Sequence, residues 1–221
     1  MQVPLYYGTK QESRCFYEKL VEKNLDRGYQ RSTADNSLFF TVRNKQLSVL
    51  ASWVDDLIIM GLPANVGQIE QDLEKSFACK SEREMKEYVG SKIDILRDST
   101  GLGTAKLTQP VLIQKLKYDF DLGSDTVPRT PAFPGQVLMK GDGNSPLPHD
   151  QAKKFRSATA TIMYLMQWSR PKVYNATRNC SRMMSNPQHQ HWKPLMHLIK
   201  YVTGTPDRGL TLAPYRICSI A

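Results

Sequence analysis

Two carboxylates, Asp55 and Asp56, stand side by side inside an apolar run, Leu47-Ser48-Val49-Leu50-Ala51-Ser52-Trp53-Val54-Asp55-Asp56-Leu57-Ile58-Ile59-Met60-Gly61. Burying an unpaired charge costs several kcal/mol even after relaxation, and a like charge beside it adds to the cost. Either the pair sits at an exposed tip or a cation offsets it. Both readings are open on the residues alone: an acidic turn in water, or hard oxygen ligands for a divalent ion such as Mg2+, which keeps several waters and binds substrate phosphates. Successive strand residues face opposite ways. The two acids are therefore unequal ligands, with Asp55 the main one and Asp56 the second.

The flanking pattern supplies the frame for that pair. The runs 47–54 and 57–61 predict two strands of a hairpin with Asp55-Asp56 at its tip. Before them, Phe16, Tyr17, Leu20, Val21 and Leu25 share one face of a helix over 12–26, and Gly28 is its stop. Residues 37–42 are β-prone, with a turn at Asn44-Lys45. After the acids, Pro63 opens a helix that puts Val66, Ile69, Leu73 and Phe77 on one face. A strand is expected over 88–96 and a short one ending at Leu107. Thr108 is expected to cap a helix running to Phe120. Residues 121–150 carry Pro128, Pro131, Pro134, Pro146 and Pro148 among glycines and read as a linker. Three helices follow, near 150–168, 172–185 and 189–202, punctuated by Pro171 and Pro187.

The chain has 221 residues, 30 Lys and Arg against 21 Asp and Glu, and a formal net charge of +9. Its sequence pI is about 9.4 and its mean hydropathy −0.46. That balance belongs to a globular protein and suggests a polyanionic partner. The most apolar stretch contains the two acids, so no uninterrupted membrane span is expected. The first residues show no charged-then-apolar leader, which argues against secretion. Cys15, Cys79, Cys180 and Cys218 are far apart and none forms a C-x-x-C pair, which fits reduced thiols better than a zinc site or a disulfide frame. His189, His191 and His197 near Cys180 have poor spacing for zinc. Met183, Met184, Leu195, Met196 and Ile199 read as helix core.

The order of short motifs is more specific. Trp53-Val54-Asp55-Asp56 resembles the aromatic-x-Asp-Asp box of reverse transcriptases, with Trp in place of the usual Tyr. Leu5-Tyr6-Tyr7-Gly8-Thr9-Lys10-Gln11, followed by Arg14, Phe16 and Tyr17, resembles the LYGLKQ segment of copia-type LTR retrotransposon polymerases. Gly28-Tyr29, Ser32, Asp35 and Leu38-Phe39 resemble the next block. Tyr88-Val89-Gly90-Ser91-Lys92-Ile93 resembles the FLGIEI strand, Leu107-Thr108-Gln109 the LSQ motif, and Thr130-Pro131 its TP. Phe155-Arg156-Ser157, Tyr164-Leu165, Ser169-Arg170-Pro171, His191-Trp192, the run from Tyr201 to Thr205 and Gly209-Leu210 follow in family order. Lys172 stands where the family usually has Asp, and Ala160 where it usually has Gly.

The resemblance implies an α+β fold: a partial polymerase palm, with an antiparallel sheet and helices, followed by a helical thumb or connection region. Residues 1–120 would be the C-terminal part of the palm and the start of the thumb, 121–150 a Pro/Gly-rich linker, and 151–221 the helical thumb or connection. It implies RNA-directed DNA synthesis by two-metal nucleotidyl transfer with Mg2+ or Mn2+, an RNA template, a DNA primer and deoxynucleoside triphosphates. Asp55 and Asp56 match two of three catalytic carboxylates. The third belongs upstream of the Leu5 block, and RNase H follows downstream in the polyprotein. The chain by itself is thus expected to be inactive without the fingers and first palm strand.

Tyr7, Gly8, Lys10 and Trp53 match positions bordering nucleotide and template. Arg14, Lys153, Lys154 and Arg156 are candidates for the nucleic-acid backbone. Lys10 and Arg14 read, rather than as phosphate contacts, as a solvated first helical turn. The implied location is the cytoplasm, within a virus-like particle in the family, or the nucleus. The alternative is a non-catalytic nucleic-acid-binding remnant of a decayed or domesticated element.

Overall fold

Alternation of apolar and polar residues every three to four positions makes α1 (Lys10–Asp26) and puts Leu20 at zero exposure, with Phe16, Tyr17 and Val21 around it. In a computed structural model of the chain, the described residues are 10–213, except 44, 55, 83–84, 98, 100–102, 124–125 and 142–144. The helix stops where Tyr29 N–H reaches the Asn24 carbonyl at 3.0 Å and Gly28 N–H the Leu25 carbonyl at 2.9 Å. Gly28 has a φ of 81°, so this is the left-handed stop read from the sequence. Leu25 is a correction: it is exposed, and Asn24 is buried in that turn instead.

Residues 1–83 form one compact unit and residues 84–221 another. In the first, β1 (Gln30–Arg31), β2 (Leu38–Arg43), β3 (Gln46–Trp53) and β4 (Asp56–Met60) make an antiparallel sheet in the order β1-β2-β3-β4. Its connection from β1 to β2 is built from turn chemistry. Ser32 Oγ accepts from Ala34 N–H, and Asp35 Oδ1 accepts from Ser37 N–H at 2.8 Å. Phe39 and Leu50 pack with Leu20 and Tyr29, and with Ile69 and Leu73 of α2 (Pro63–Glu74). Arg27 ties the two helices, donating to Ser76 Oγ at 2.7 Å and to the Asp72 carbonyl.

The second unit is itself α+β. β5 (Glu87–Tyr88), β6 (Ser91–Arg97), β7 (Gly103–Thr108) and β8 (Leu210–Leu212) form a second antiparallel sheet in that order. The helices are α3 (Pro110–Asp119), α4 (His149–Trp168), α5 (Tyr174–Ser181), entered through a 3-10 turn at Pro171–Val173, and α6 (His189–Gly204). Phe155, Ile162, Leu165, Leu195, Leu198 and Ile199 are their fully buried centre. Met183 is buried there too, with Met184 and Met196 packed against it.

The α+β expectation holds, with several changes of detail. The strand expected over 88–96 is a hairpin: Val89 and Gly90 both have positive φ, 46° and 67°, the backbone of a two-residue turn between twisted strands. Thr108 ends β7. Gln109 takes the cap position of α3 without a side-chain cap bond, and its Oε1 accepts from Ser169 Oγ at 2.8 Å.

The expected division around 121–150 also differs from the observed one between Arg83 and Glu84. Residues 84–120 belong with the helices, because β8 closes on β7 and Ile113 and Leu116 of α3 enter the helical core. The proline-rich segment is irregular, as its composition implies, but it is packed. Leu138 and Leu147 are buried in that core. His191 Nδ1 accepts from Gln188 N–H, so its Nε2 carries the proton and donates to the Met139 carbonyl at 3.0 Å. His197 Nε2 donates to the Thr130 carbonyl at 2.9 Å.

Candidate active site on the β3–β4 turn

β3 and β4 pair as Val49 with Met60, Ala51 with Ile58 and Trp53 with Asp56. That register moves the turn one residue earlier than expected. Val54 begins it, and Asp56 is the first residue of β4 rather than a residue of the tip. Asp56 is exposed and makes no ion pair among the described residues. Beside it across the strands, Trp53 is 52% exposed. The hairpin therefore holds a carboxylate and an indole next to each other at the end of a sheet anchored by Leu50 and Phe39.

Val54 adopts φ 52°. A β-branched side chain in left-handed backbone is an outlier that costs about 1–3 kcal/mol and persists only where the surrounding pairing imposes it. Strain of this kind concentrates at functional turns. Val54→Asn, which tolerates that backbone better, is expected to raise unfolding free energy by about 1 kcal/mol in urea denaturation. An unchanged or lower value would mean that no strain is stored there.

Tyr7, Gly8 and Asp55 lie outside the described residues, as do Cys218 and the side chain of Lys10. The structure brings Trp53 and Asp56 together. Arg14 lies on α1 with its Nε donating to Glu18 at 2.8 Å, and that hydrogen bond raises the guanidinium pKa above its ordinary value. Lys153, Lys154 and Arg156 fall within one turn of α4, in the other unit, the first two exposed and the third half-buried. Among the described residues no group of three or more His, Cys, Asp or Glu is placed to hold a metal ion. The sequence reading passed over the exposed cations of the α5 region, Lys172, Arg178 and Arg182. Their signal was the want of acids around them.

Many motif residues outside the acid pair make the buried polar contacts of the second unit. Arg170, 4% exposed, donates to the Thr205 carbonyl at 2.8 Å, to Thr205 Oγ1 at 2.6 Å and to the Arg208 carbonyl at 3.4 Å. Burial lowers its pKa, yet a guanidinium stays charged. Tyr164 OH donates to the Val89 carbonyl at 2.8 Å and so ties α4 to the β5–β6 turn. His191 closes a capping box with Gln188 at the start of α6. At Gly209 a Cβ would stand 2.2 Å from the Leu107 carbonyl oxygen, so only glycine admits the β7–β8 approach.

Cys180 is buried, and burial pushes its thiol up to about 12. Alkylation requires the thiolate. Peptide mass spectrometry after brief alkylation is expected to find Cys15 and Cys79, both exposed, modified and Cys180 untouched. Early modification of Cys180 would contradict its packing. The stability it contributes is full below the ordinary thiol value of 9.0 and is lost as pH rises toward 12, because the unfolded chain gives up that proton first.

Among the known proteins to which the chain is similar are three Pol polyproteins of plant transposons. The chain is 28% identical over 207 residues to the retrovirus-related Pol polyprotein from transposon RE1 of Arabidopsis thaliana, covering 93% of this chain and 14% of the relative. It is 25% identical over 210 residues to that from transposon RE2 of the same plant, covering 93% and 14%. It is 27% identical over 204 residues to that from transposon TNT 1-94 of Nicotiana tabacum, covering 90% and 15%. The chain thus spans about a seventh of the length of these curated relatives. No family model matches it, and no solved structure does.

Proposed function

From a chain homologous over nine-tenths of its length to the Pol polyproteins of copia-type retrotransposons, we propose a segment of an RNA-directed DNA polymerase, with its chemistry at the β3–β4 turn. One observation carries the reading: an exposed carboxylate, Asp56, fixed beside Trp53 across a strained two-residue turn. Carboxylate oxygens are the donors that Mg2+ or Mn2+ takes, so the chemistry of Asp55 and Asp56 fits such an ion, with a further carboxylate supplied from elsewhere in the polyprotein. When bound, the ions stabilise the charge that develops on the transferred phosphoryl group. The chain's own part is positioning. The hairpin holds Asp56 at a fixed end of the sheet, and the Trp53 ring offers a face on which a sugar or base can stack.

The distribution of charge supports a division of labour. Residues 1–83 carry 11 Lys and Arg and 11 Asp and Glu, whereas residues 84–221 carry 19 and 10. The whole net positive charge thus lies in the second unit. A polyanion such as a template–primer duplex is the natural partner of that unit, and the first unit is left to the acids. The same charge favours, as a second reading, a remnant that binds nucleic acid without chemistry.

A photoreactive nucleotide at the primer 3′ end of an RNA–DNA duplex tests the polymerase reading. Cross-links to the peptide holding Trp53 and Asp56 are expected. Cross-links confined to residues 84–221 would leave only the binding remnant.

A further inference from the structure

Between residues 151 and 206 the chain has nine Lys and Arg and no Asp or Glu. These residues make α5, α6 and all of α4 after its first turn, which holds Asp150; α5 and α6 have no acid of their own to neutralise their cations. Arg170 is engaged inside, at the end of α6, and Lys193 lies over the Phe133 ring at 5.8 Å. Lys172, Arg178 and Arg182 are different. All three are exposed and make no ion pair among the described residues. The burial of Val173, Ala176, Thr177 and Cys180 fixes the opposite face of the same turns in the core. The cationic face therefore points outward, over a length of about 15 Å at 1.5 Å per residue. An idle solvated surface mixes its signs, and this one does not.

We infer that the outer face of the 3-10 turn and α5, through Lys172, Arg178 and Arg182, is a phosphate-contacting surface for a nucleic-acid duplex. This deepens the polymerase reading and rests on it for the choice of an RNA–DNA duplex. Phosphates recur about every 3.4 Å along each strand of a duplex, so a line of this length meets several of one strand. Arg and Lys there supply affinity and register without reading sequence. A membrane surface is the weaker match. Binding at a lipid interface needs large apolar side chains beside the cations, and between Lys172 and Arg182 the outer face offers Tyr174 and Asn175.

The test measures binding of the 221-residue chain to a fluorescent RNA–DNA duplex by anisotropy across a salt series. Two triple variants are compared: Lys172→Gln with Arg178→Gln and Arg182→Gln, and a control with the same charge loss, Lys80→Gln with Lys86→Gln and Lys140→Gln, all exposed. Thermal unfolding checks that both fold. The first variant is expected to bind roughly tenfold or more weakly, with a salt slope smaller by about 0.9 for each contact removed; the control keeps the wild-type slope. Equal weakening by both variants would overturn the inference and leave the polymerase reading standing. Binding to phosphatidylserine vesicles in place of the duplex would overturn it in favour of a membrane. Wild-type chain that binds neither would overturn it too, while the primer cross-link still judges the acid hairpin separately.

Discussion

Asp56→Asn is expected to reduce Mg2+-dependent nucleotide incorporation by about a thousandfold or more in a Pol segment long enough to include the upstream carboxylate. The substitution keeps the size and planarity of the side chain and removes its charge. A metal ion at a phosphoryl centre supplies several kcal/mol of stabilisation to developing charge, and each 1.36 kcal/mol is a factor of ten in rate. If Asp55 is a second ligand, as proposed, Asp55→Asn is expected to lower incorporation as well. Because Asp56 is exposed and unpaired among the described residues, the change leaves the fold intact. Single-turnover incorporation read beside thermal unfolding separates the two effects. Retained incorporation at an unchanged melting temperature would remove Asp56 from the chemistry.

Arg170→Met is expected to destabilise the second unit by about 3–5 kcal/mol. The guanidinium satisfies the carbonyls of Thr205 and Arg208 and the Thr205 hydroxyl at the C-terminal end of α6. Hydrogen bonds to a charged donor contribute about 1.5–3 kcal/mol each, and the Thr205 carbonyl would keep only its 3.2 Å bond from Arg208 N–H. The positive charge also sits where the helix dipole is negative. Its stem packs near Tyr201, whose ring lies 5.9 Å from the guanidinium and whose hydroxyl accepts from Arg208 at 2.8 Å. Arg170→Lys restores one donor group and not the planar fork, so it is expected to recover less than half of the loss. Urea denaturation of the three proteins measures this. A loss under about 1 kcal/mol in the Met variant would mean that water can replace the guanidinium.

The acid hairpin was legible because its signal is local: two apolar runs, two charges between them, and an aromatic before them. Its register was not. Nothing in Val54 announces left-handed backbone as Asn or Gly would, so the tip read one residue late. Val89 concealed the β5–β6 turn in the same way, with Gly90 its only mark. Helices read well wherever apolar spacing was regular, as in α2 and α6.

What failed was long-range. Proline and glycine between 121 and 150 mark irregular backbone. They do not reveal that Leu138 and Leu147 turn into the core or that His191 and His197 hold the segment to α6. The pairing of β8 with β7 joins residues some hundred positions apart through a three-residue strand, and no periodicity appears over so short a run. The unit boundary at Arg83 follows from those contacts, and composition does not contain them. The motif order carried the relationship to Pol polyproteins. The structure adds why Gln109, Ser169, Arg170 and His191 belong to those motifs: they satisfy buried backbone and side-chain groups.

The most direct measurement is incorporation of one labelled deoxynucleotide onto a DNA primer annealed to RNA, by a Pol segment that extends this chain upstream through the first palm strand. The expected result is templated incorporation that requires Mg2+ or Mn2+, stops with chelator, and is lost in Asp56→Asn. Incorporation equal in wild type and Asp56→Asn, or none by a folded segment that binds the duplex, would contradict a polymerase site on the β3–β4 turn.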